Sequence, residues 1–203
     1  MSERRYDPEG TRRTILTAAR EVFVDKGLDG ASMSEIARAA GVTKSLIHHH
    51  FGAKDELWNA VKQESFEQYF SSMLDIVRSG GEGANPLRAA MEFTFRFHKE
   101  NPGATRMLSW MHLEGDPMKH PHHDQLCREG LARIRQAQAE GHFRSDVDAS
   151  TIQAGFLLLT TGYFQHQCFF ENWDLGPNEP DGARPDRYLE QALKIFFDGV
   201  LPR

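Results

Sequence analysis

Apolar and polar positions between residues 32 and 51 follow two short helical repeats separated by a glycine. The apolar positions of the first repeat are Met33, Ile36, Ala37 and Ala40. Ser32 and Glu35 have the S-x-x-E spacing of a capping box, which satisfies free N–H groups at a helix start. Gly41 follows, where a sharp turn requires a residue that tolerates positive φ. The pattern predicts a helix-turn-helix, whose second helix, roughly residues 43–50, can enter the DNA major groove. A structural helical hairpin is the alternative.

The rest of the chain has the pattern of helices, with no convincing strand and no internal repeat. Asp7 and Pro8 are a helix cap and a first-turn proline, and Gly27 closes the first predicted helix. Further helices are predicted from residue 54 to a glycine-rich break at 80–83, and over 86–101, 104–114, 124–140, 148–171 and 185–200. Residues 172–184 are rich in Asn, Gly, Pro and Asp and are expected to form an exposed loop. The sequence thus predicts an all-α protein of about nine helices.

Three motifs occur in order within the first sixty or so residues. They are Ile15-x2-Ala18-Ala19-x3-Phe23-x3-Gly27, Ile36-Ala37-x2-Ala40-Gly41-Val42 and Phe51-x2-Lys54-x2-Leu57. Together they resemble the N-terminal domain of the tetracycline-repressor (TetR) family of bacterial transcription regulators. The resemblance implies an N-terminal three-helix helix-turn-helix DNA-binding domain at 1–62 and a C-terminal helical ligand-binding and dimerisation domain at 63–203. The chain departs from the family at Ser45-Leu46 and at residues 48–50, so no operator sequence is transferred to it.

The predicted recognition helix and its flanks supply the candidate DNA contacts. They are Thr43, Lys44, Ser45, Leu46, His48, His49, His50 and Lys54. Lysine and histidine donate to guanine edges or phosphates, a helix start binds phosphate, and Leu46 contacts a thymine methyl. Ile47 and Phe51, four residues apart, are expected to be buried together. Because imidazole titrates near neutrality and phosphate favours its charged form, we expect DNA affinity to rise as pH falls from about 8 to about 6.

Charge restricts how DNA would be bound. The chain has a net charge of −5, and its first 62 residues carry ten basic and nine acidic side chains, against 14 and 20 in the remainder. DNA affinity must therefore come from where the cations sit rather than from bulk charge. Arg4, Arg5, Arg12 and Arg13 form a basic cluster. This cluster either lies along phosphates or is a solvated tail, and the sequence favours neither.

Composition also bounds the class of protein. Apolar residues make up 39% of the chain and charged residues 26%, as in globular proteins. Cys127 and Cys168 are far apart and form no ligand or disulfide framework. The polar N-terminus is unlike a signal peptide, and no apolar run is long enough to span a bilayer. We therefore expect a cytoplasmic protein that needs no cofactor.

Aromatic residues concentrate in the C-terminal part, where twelve of the 14 phenylalanines lie beyond residue 62. The resemblance implies that some of them line an effector pocket, and ordinary core packing is the alternative. The candidates are Phe93, Phe97, Met107, Trp110, Met111, Phe156, Tyr163 and Phe164. The resemblance also implies a homodimer through the last two helices, which fits the apolar run at 156–159. A two-fold dimer predicts a near-palindromic operator.

These features indicate a ligand-responsive transcriptional regulator, with repression as the family's commoner mode. It is predicted to bind its operator as a homodimer and to be released by an apolar or aromatic small molecule. One alternative is an architectural DNA-binding protein without effector, which the acidic C-terminal part disfavours. Another is an enzyme, but the sequence lacks a nucleophile elbow, a phosphate loop or paired carboxylates.

A metal site is a further alternative for the histidine-rich segment. His112, Asp116, His120, His122, His123 and Asp124 lie within thirteen residues. Histidine and carboxylate ligands suit zinc or nickel. The segment is loop-like and lacks a two-histidine helical motif, so a solvated loop without metal is the favoured interpretation.

Overall fold

The computed structural model describes residues 7–79, 85–170 and 184–202, and every regular element in these ranges is an α-helix. The helices are α1 Pro8–Gly30, α2 Met33–Ala40, α3 Lys44–Phe51, α4 Lys54–Arg78, α5 Asn85–Glu100, α6 Pro102–Leu113, α7 His123–Ala139, α8 Ala149–Gln165, α9 Gln167–Phe170 and α10 Arg184–Val200. None of these helices is long and apolar enough to cross a membrane. The predicted all-α fold is confirmed. The predictions for Arg4, Arg5, the break at 80–83 and residues 172–183 of the loop predicted over 172–184 lie outside the described residues, and Arg184 begins α10.

The chain forms two compact units, and the division falls inside α4 and α6. The first unit comprises the chain up to Glu67 together with Arg106–His120, and the second comprises Gln68–Thr105 and the chain from Pro121 onward. The end of α6 and the segment after it therefore belong with the N-terminal helices. The domain boundary between residues 62 and 63 stays a prediction.

Side-chain N-caps mark the starts of the first three helices, as the sequence indicates. Asp7 accepts a hydrogen bond from the Gly10 N–H at 2.9 Å, and Ser32 Oγ accepts one from the Glu35 N–H at 3.2 Å. The second half of the predicted capping box is replaced, because the Glu35 carboxylate pairs with Lys26 at 2.5 Å. Each cap satisfies an N–H group that the helix itself leaves unpaired.

Gly27 interrupts α1 rather than ending it. Its φ of 71° and ψ of −175° are not helical, yet the chain continues in helix to Gly30. A Cβ at this position would lie 2.9 Å from the Trp110 ring and 2.5 Å from a Glu114 carboxylate oxygen. Positive φ and close approach both require glycine here. The predicted end at residue 26 is thus a kink, with one further turn of helix after it.

The predicted helix over 148–171 is divided near its end. His166 has φ −113° and ψ 11°, outside the helical region, and both its N–H and its ring Nδ1 donate to the Gly162 carbonyl, at 3.1 and 2.9 Å. The Phe169 N–H then bonds back to the His166 carbonyl at 2.9 Å, one residue closer than in an α-helix. Helix α8 therefore ends at Gln165. The short helix α9 after it explains why the described residues contain ten helices where the sequence predicted about nine.

The second unit packs α5 and α7 against α8, with α10 beside them. The Tyr188 hydroxyl of α10 donates to the Leu159 carbonyl of α8 at 2.9 Å. The Arg144 N–H donates to the Val200 carbonyl at 2.9 Å, which ties the loop after α7 to the end of α10. These bonds hold the last long helix against the centre of the unit.

Candidate nucleic-acid interface

The predicted recognition helix corresponds to α3, and its start is built by Thr43. The Thr43 hydroxyl accepts a hydrogen bond from the Leu46 N–H at 3.3 Å and lies 3.0 Å from the Ser45 hydroxyl. Gly41, with φ 65°, supplies the left-handed residue that the turn before it requires. Thr43 is therefore the N-cap of α3, and the turn glycine that the sequence predicts is confirmed. Thr43 and Ser45 are both exposed at this helix end.

One side of α3 is buried and the other faces solvent. Ile47 is 0% exposed, whereas Lys44, Ser45, His48 and His49 are exposed. A polar face of this kind, fixed by a buried isoleucine beneath it, is what readout of base edges in a groove requires. Of the other candidates, Leu46 and His50 are half-buried.

Phe51 does not share the full burial of Ile47, and this expectation was wrong. Phe51 is half-buried, and the Arg12 guanidinium lies over its ring at 5.0 Å. The ring therefore has a cation above it where a core residue would have apolar neighbours. This contact places Arg12, one of the four arginines of the N-terminal basic cluster, beside the end of α3.

The His48 ring has a fixed orientation. Its Nδ1 lies 2.8 Å from the Gly52 carbonyl oxygen, and since a carbonyl only accepts, Nδ1 carries a proton. Neutral His48 then offers Nε2 as an acceptor, which matches an amino group of adenine or cytosine. Charged His48 offers Nε2–H as a donor, which matches phosphate or guanine. The protonation state thus decides what this side chain can bind.

Lys54 also has a structural partner. Its ammonium donates to the Ala31 carbonyl at 3.1 Å, so it closes the end of α1. An ammonium has three donors, and the remaining two are available for phosphate. The structure therefore gives Lys54 a bridging position, which the sequence did not indicate.

Helix α6 and the segment after it support the platform of the first unit. The Trp110 Nε1 donates to the Val24 carbonyl at 3.2 Å. Beyond α6, Asp116 accepts hydrogen bonds at 2.5 Å from Trp58 Nε1 and from the Lys62 ammonium of α4. Lys62 is 0% exposed, and a buried ammonium requires such a carboxylate. The sequence does not predict this cluster, for which the four-residue spacing of Trp58 and Lys62 is the available signal.

The eight predicted pocket residues are divided between the two units. Met107, Trp110 and Met111 belong to the first unit, and the other five, Phe93, Phe97, Phe156, Tyr163 and Phe164, belong to the second. Met107, Met111, Phe156 and Tyr163 are buried, and the rest are half-buried. Within the first unit, Trp110 packs against Gly27 of α1.

An aromatic network joins the helices of the second unit. Phe95, only 1% exposed, lies 4.7 Å from the Phe164 ring centroid and 5.9 Å from that of Tyr188. On the other side of α5, Tyr69 of α4 lies 4.8 Å from the Phe97 ring centroid and 5.9 Å from that of Phe93. The four-residue spacing of Phe93 and Phe97 indicates a shared helix face but does not indicate the burial of Phe95, because α5 is covered on two sides.

A polar site lies inside this aromatic network. His98, 4% exposed, has Nδ1 2.8 Å from the Thr105 hydroxyl and Nε2 3.3 Å from the Thr161 hydroxyl. Burial lowers the pKa of His98 to about 4, so the ring is neutral at neutral pH. Both ring nitrogens are satisfied, as a buried polar group requires.

The residues of the suggested metal segment have different partners. Asp116 binds Lys62 and Trp58, as described above, and the His120 Nε2 lies 3.3 Å from a Glu67 carboxylate oxygen. His123 begins α7, where its Nδ1 lies 3.1 Å from the Asp124 carboxylate. The Asp116 oxygen that accepts from two donors is a poor metal ligand. Ligand atoms of Glu67, His120 and His122, one from each residue, in contrast lie within 4.8 Å of one another, a spacing at which they could hold a metal ion.

Exposed apolar side chains mark the outer faces of α8 and α10. Leu157 is 44% exposed, Leu158 72% and Ile195 69%. Leu157 and Leu158 belong to the apolar run that fits the dimer interface implied by the family resemblance. Adjacent exposed leucines on a helix that also buries Phe156 and Thr160 give it two apolar sides.

Comparison with known proteins identifies both parts of the chain. Residues 15–61 match the family described as "Bacterial regulatory proteins, tetR family", and residues 91–173 match "Tetracyclin repressor-like, C-terminal domain". The transcriptional activator FasR of Mycolicibacterium smegmatis is 38% identical over 102 residues, which cover 50% of this chain and 47% of FasR. The chain thus spans about half the length of that relative.

Two longer matches cover nearly the whole chain. The transcriptional regulator UidR of Escherichia coli strain K12 is 25% identical over 209 residues, covering 99% of this chain and 98% of UidR. The crystal structure of a transcriptional regulator, SCO4942 from Streptomyces coelicolor, superposes with a TM-score of 0.73 at 19% identity over 91% of this chain and 97% of that one. These relatives are named as transcriptional regulators. The chain therefore belongs to the tetracycline-repressor (TetR) family of transcriptional regulators.

Proposed function

We propose that this protein binds a near-palindromic DNA operator as a homodimer through α3 and releases it when a small molecule binds the second unit. The observation that carries the proposal is that α3 is buried on one side and exposed on the other. Ile47 anchors the helix, while Lys44, Ser45, His48 and His49 remain exposed along its other side.

The dimer is supported by the exposed apolar faces of α8 and α10. Leu158 and Ile195 would contact the same helices of a second copy, since a two-fold interface pairs one surface patch with itself. The two copies then present two α3 helices to one duplex. Half-sites about one helical turn apart, or slightly more, would be read by the pair.

The effector is proposed to contact the aromatic side chains of the second unit. Phe93, Phe97, Phe156, Tyr163 and Phe164 lie on helices α5 and α8 there, and their rings suit an apolar or aromatic small molecule. To change operator occupancy, the molecule must bind the released state more tightly than the DNA-bound state by a few kcal/mol. A near-complete switch needs a difference of about 5 kcal/mol. The three methionine and tryptophan candidates of the first unit stay a prediction.

The DNA-binding proposal is tested by selecting duplexes from a randomised library with the full-length protein, followed by gel retardation. We expect an inverted repeat to be enriched. Lys44→Ala should weaken binding of the selected duplex at least about tenfold, because each good base or phosphate contact contributes about 1–3 kcal/mol and the dimer carries two copies. The matched control is Lys99→Ala in the second unit, which removes the same charge. No enrichment, or equal effects of both variants, would contradict the proposal.

The dimer is tested by sedimentation of Leu158→Glu. We expect this variant to be a monomer and to lose affinity for the inverted repeat, because a charge on an apolar interface is left desolvated. Leu113→Glu is the control, since Leu113 is 77% exposed on α6 in the first unit. If Leu158→Glu remains a dimer, the interface lies elsewhere.

The protein is proposed to repress transcription, as the family name suggests. It is proposed to act in the cytoplasm. FasR, however, is named an activator, so a reporter assay is needed to decide the sign. A promoter carrying the selected repeat should become more active when the gene for this protein is deleted. Lower promoter activity after the deletion would show that the protein is an activator.

A further inference from the structure

Cys127 has a partner that the sequence did not indicate. It lies on α7 one turn after His123, and its sulfur is 3.7 Å from the His123 Nε2. The opposite ring nitrogen, Nδ1, is 3.1 Å from the Asp124 carboxylate. A nucleophile beside a base, with the base oriented by a third group, is the arrangement that activates cysteine in proteins. The described contacts of α3 and of the proposed effector residues do not use it.

We propose that Cys127 is a covalent modification site for α,β-unsaturated carbonyl compounds, with His123 as its proton acceptor and Asp124 as the group that positions His123. The chemical assignment stands on the three side chains alone. Its regulatory consequence, release of DNA, rests on the proposed function.

The surroundings favour an uncharged organic electrophile. The ring of His123 meets that of Phe70 edge-on, with centroids 5.8 Å apart. Tyr69 is buried, and its pKa is raised to about 12, mainly by burial and in smaller part by the neighbouring Cys127. The Phe70 ring of α4 therefore borders the imidazole that contacts the cysteine. Cys127 itself is half-buried and the His123 side chain is 36% exposed, so a reagent can approach past the imidazole.

The reaction is balanced without any oxidant or leaving group. The thiol proton moves to the His123 Nε2, and the sulfur lone pair forms a bond to the β-carbon of the electrophile. The π electrons of the carbon–carbon double bond move towards the carbonyl and give an enolate. The His123 proton then returns to the α-carbon. The raised pKa of His123, about 8, caused first by the contact with Cys127 and also by Asp124, is consistent with a stabilised charged imidazole in this sequence.

An adduct at Cys127 would disturb the packing of α7 against α8 and α4. The Cys127 carbonyl accepts a hydrogen bond from the Gln153 amide of α8 at 3.3 Å, and Arg78 of α4 forms two bonds to Glu129 of α7, at 2.6 and 2.7 Å. Close-packed helices cannot accept several extra atoms at a half-buried position without moving. Helix α4 begins at Lys54, three residues after α3 ends. Modification is therefore expected to lower DNA affinity.

The chemistry is tested with N-ethylmaleimide, which adds to thiols by the same conjugate addition. Alkylation of full-length Cys168→Ser and Cys127→Ser is followed by intact-mass spectrometry, so that each thiol is measured alone. We expect Cys127 to react faster than Cys168, although Cys168 is the more exposed thiol. His123→Gln should slow Cys127 about tenfold or more, since it removes the proton acceptor, and should leave Cys168 unchanged. A slower Cys127, or no effect of His123→Gln, would overturn the assignment.

The positioning role of Asp124 is measured in the same assay. Asp124→Asn keeps the size of the side chain but removes its charge, so Cys127 should react several-fold more slowly while the melting temperature stays unchanged. Equal rates in the two proteins would show that His123 acts without Asp124 and would refute this part of the proposal.

The regulatory consequence is tested by gel retardation on the selected duplex. N-ethylmaleimide should release the wild-type protein and Cys168→Ser from the duplex, but Cys127→Ser should stay bound. N-ethylsuccinimide, which has the same shape without the double bond, should release none of them. Full alkylation of Cys127 with unchanged DNA binding would overturn the regulatory part. If the unmodified protein bound no selected duplex, the proposed function would fail instead, and the alkylation rates would still decide the chemistry.

Discussion

On α3, in the first unit, His48 and His49 are exposed on a helix whose isoleucine is buried. In the second unit His98 is 4% exposed and has a threonine hydroxyl at each ring nitrogen. The same side chain is thus available for a partner in one unit and is a neutral part of the core in the other. Surroundings rather than residue type decide which role histidine takes.

The same contrast holds for ion pairs. In the first unit Lys62 is buried with Asp116, whereas in the second Lys99 and Asp186 form a pair at 2.7 Å with side chains 37% and 68% exposed. Because the first pair is buried, removing one of its partners should cost much of the free energy of unfolding. Because the second pair is exposed, it contributes little to that free energy. The first unit therefore depends on a few internal polar contacts to present α3.

The largest expected effect comes from removing the buried carboxylate. Asp116→Ala leaves the Lys62 ammonium buried without its partner, which should lower the free energy of unfolding by about 3–5 kcal/mol. Asp186→Ala, the matched change in the exposed pair, should cost less than about 1 kcal/mol. Urea unfolding followed by circular dichroism measures both. Equal losses would remove the contrast between the two pairs.

Acid should destabilise the second unit through His98. The unfolded chain takes up a proton on this histidine near its ordinary pKa of 6.5, but the folded protein does so only near pH 4. The contribution to stability is therefore complete above pH 6.5 and is lost as pH falls towards 4. The difference corresponds to about 3 kcal/mol.

Comparing variants isolates this contribution of His98. His98→Gln should flatten the dependence of the free energy of unfolding on pH between about 7 and about 4. His166→Gln, at an exposed position, should retain the wild-type slope. A wild-type slope in His98→Gln would mean that other groups dominate the acid response.

DNA affinity should respond to pH through α3 and not through His98. Because Nδ1 of His48 is held by Gly52, a donor at Nε2 appears only on protonation. We expect affinity for the selected duplex to rise at least about tenfold from about pH 8 to about pH 6 at constant salt, because phosphate favours the charged ring with its additional Nε2–H donor. His48→Gln should weaken this rise and His98→Gln should preserve it. Fluorescence anisotropy gives the affinities, and a flat wild-type profile would contradict the prediction.

The smallest expected effects concern two arginines over aromatic rings. Arg12 lies 5.0 Å from the centroid of half-buried Phe51, and Arg88 lies 4.6 Å from that of buried Phe197. Arg12→Ala should cost about 0.5 kcal/mol and Arg88→Ala about 1 kcal/mol, because the ring in the second unit is better shielded from water. Thermal melts distinguish the two, and the reverse order would contradict the role assigned to burial.

Local signals in the sequence were sufficient for the helix-turn-helix. Ser32, Gly41 and Thr43 act on groups only a few residues away, so their roles could be predicted without knowing the rest of the fold. The exposed side of α3 followed from one apolar residue, Ile47. The kink at Gly27 was only half predicted, because its second cause, the Trp110 ring, is more than eighty residues distant.

The sequence by itself determined that the chain is helical, where most helices begin, and which family it belongs to, because caps, helical spacing and short motifs are local properties. Only the tertiary structure decided that Phe95 is more buried than Phe93, that Asp116 neutralises Lys62, and that His123 touches Cys127 with Asp124 behind it. The first two depend on which helices pack together. The third is a contact within one helix, but one of many possible pairs at that spacing, and only the side-chain conformations adopted in the packed protein select it.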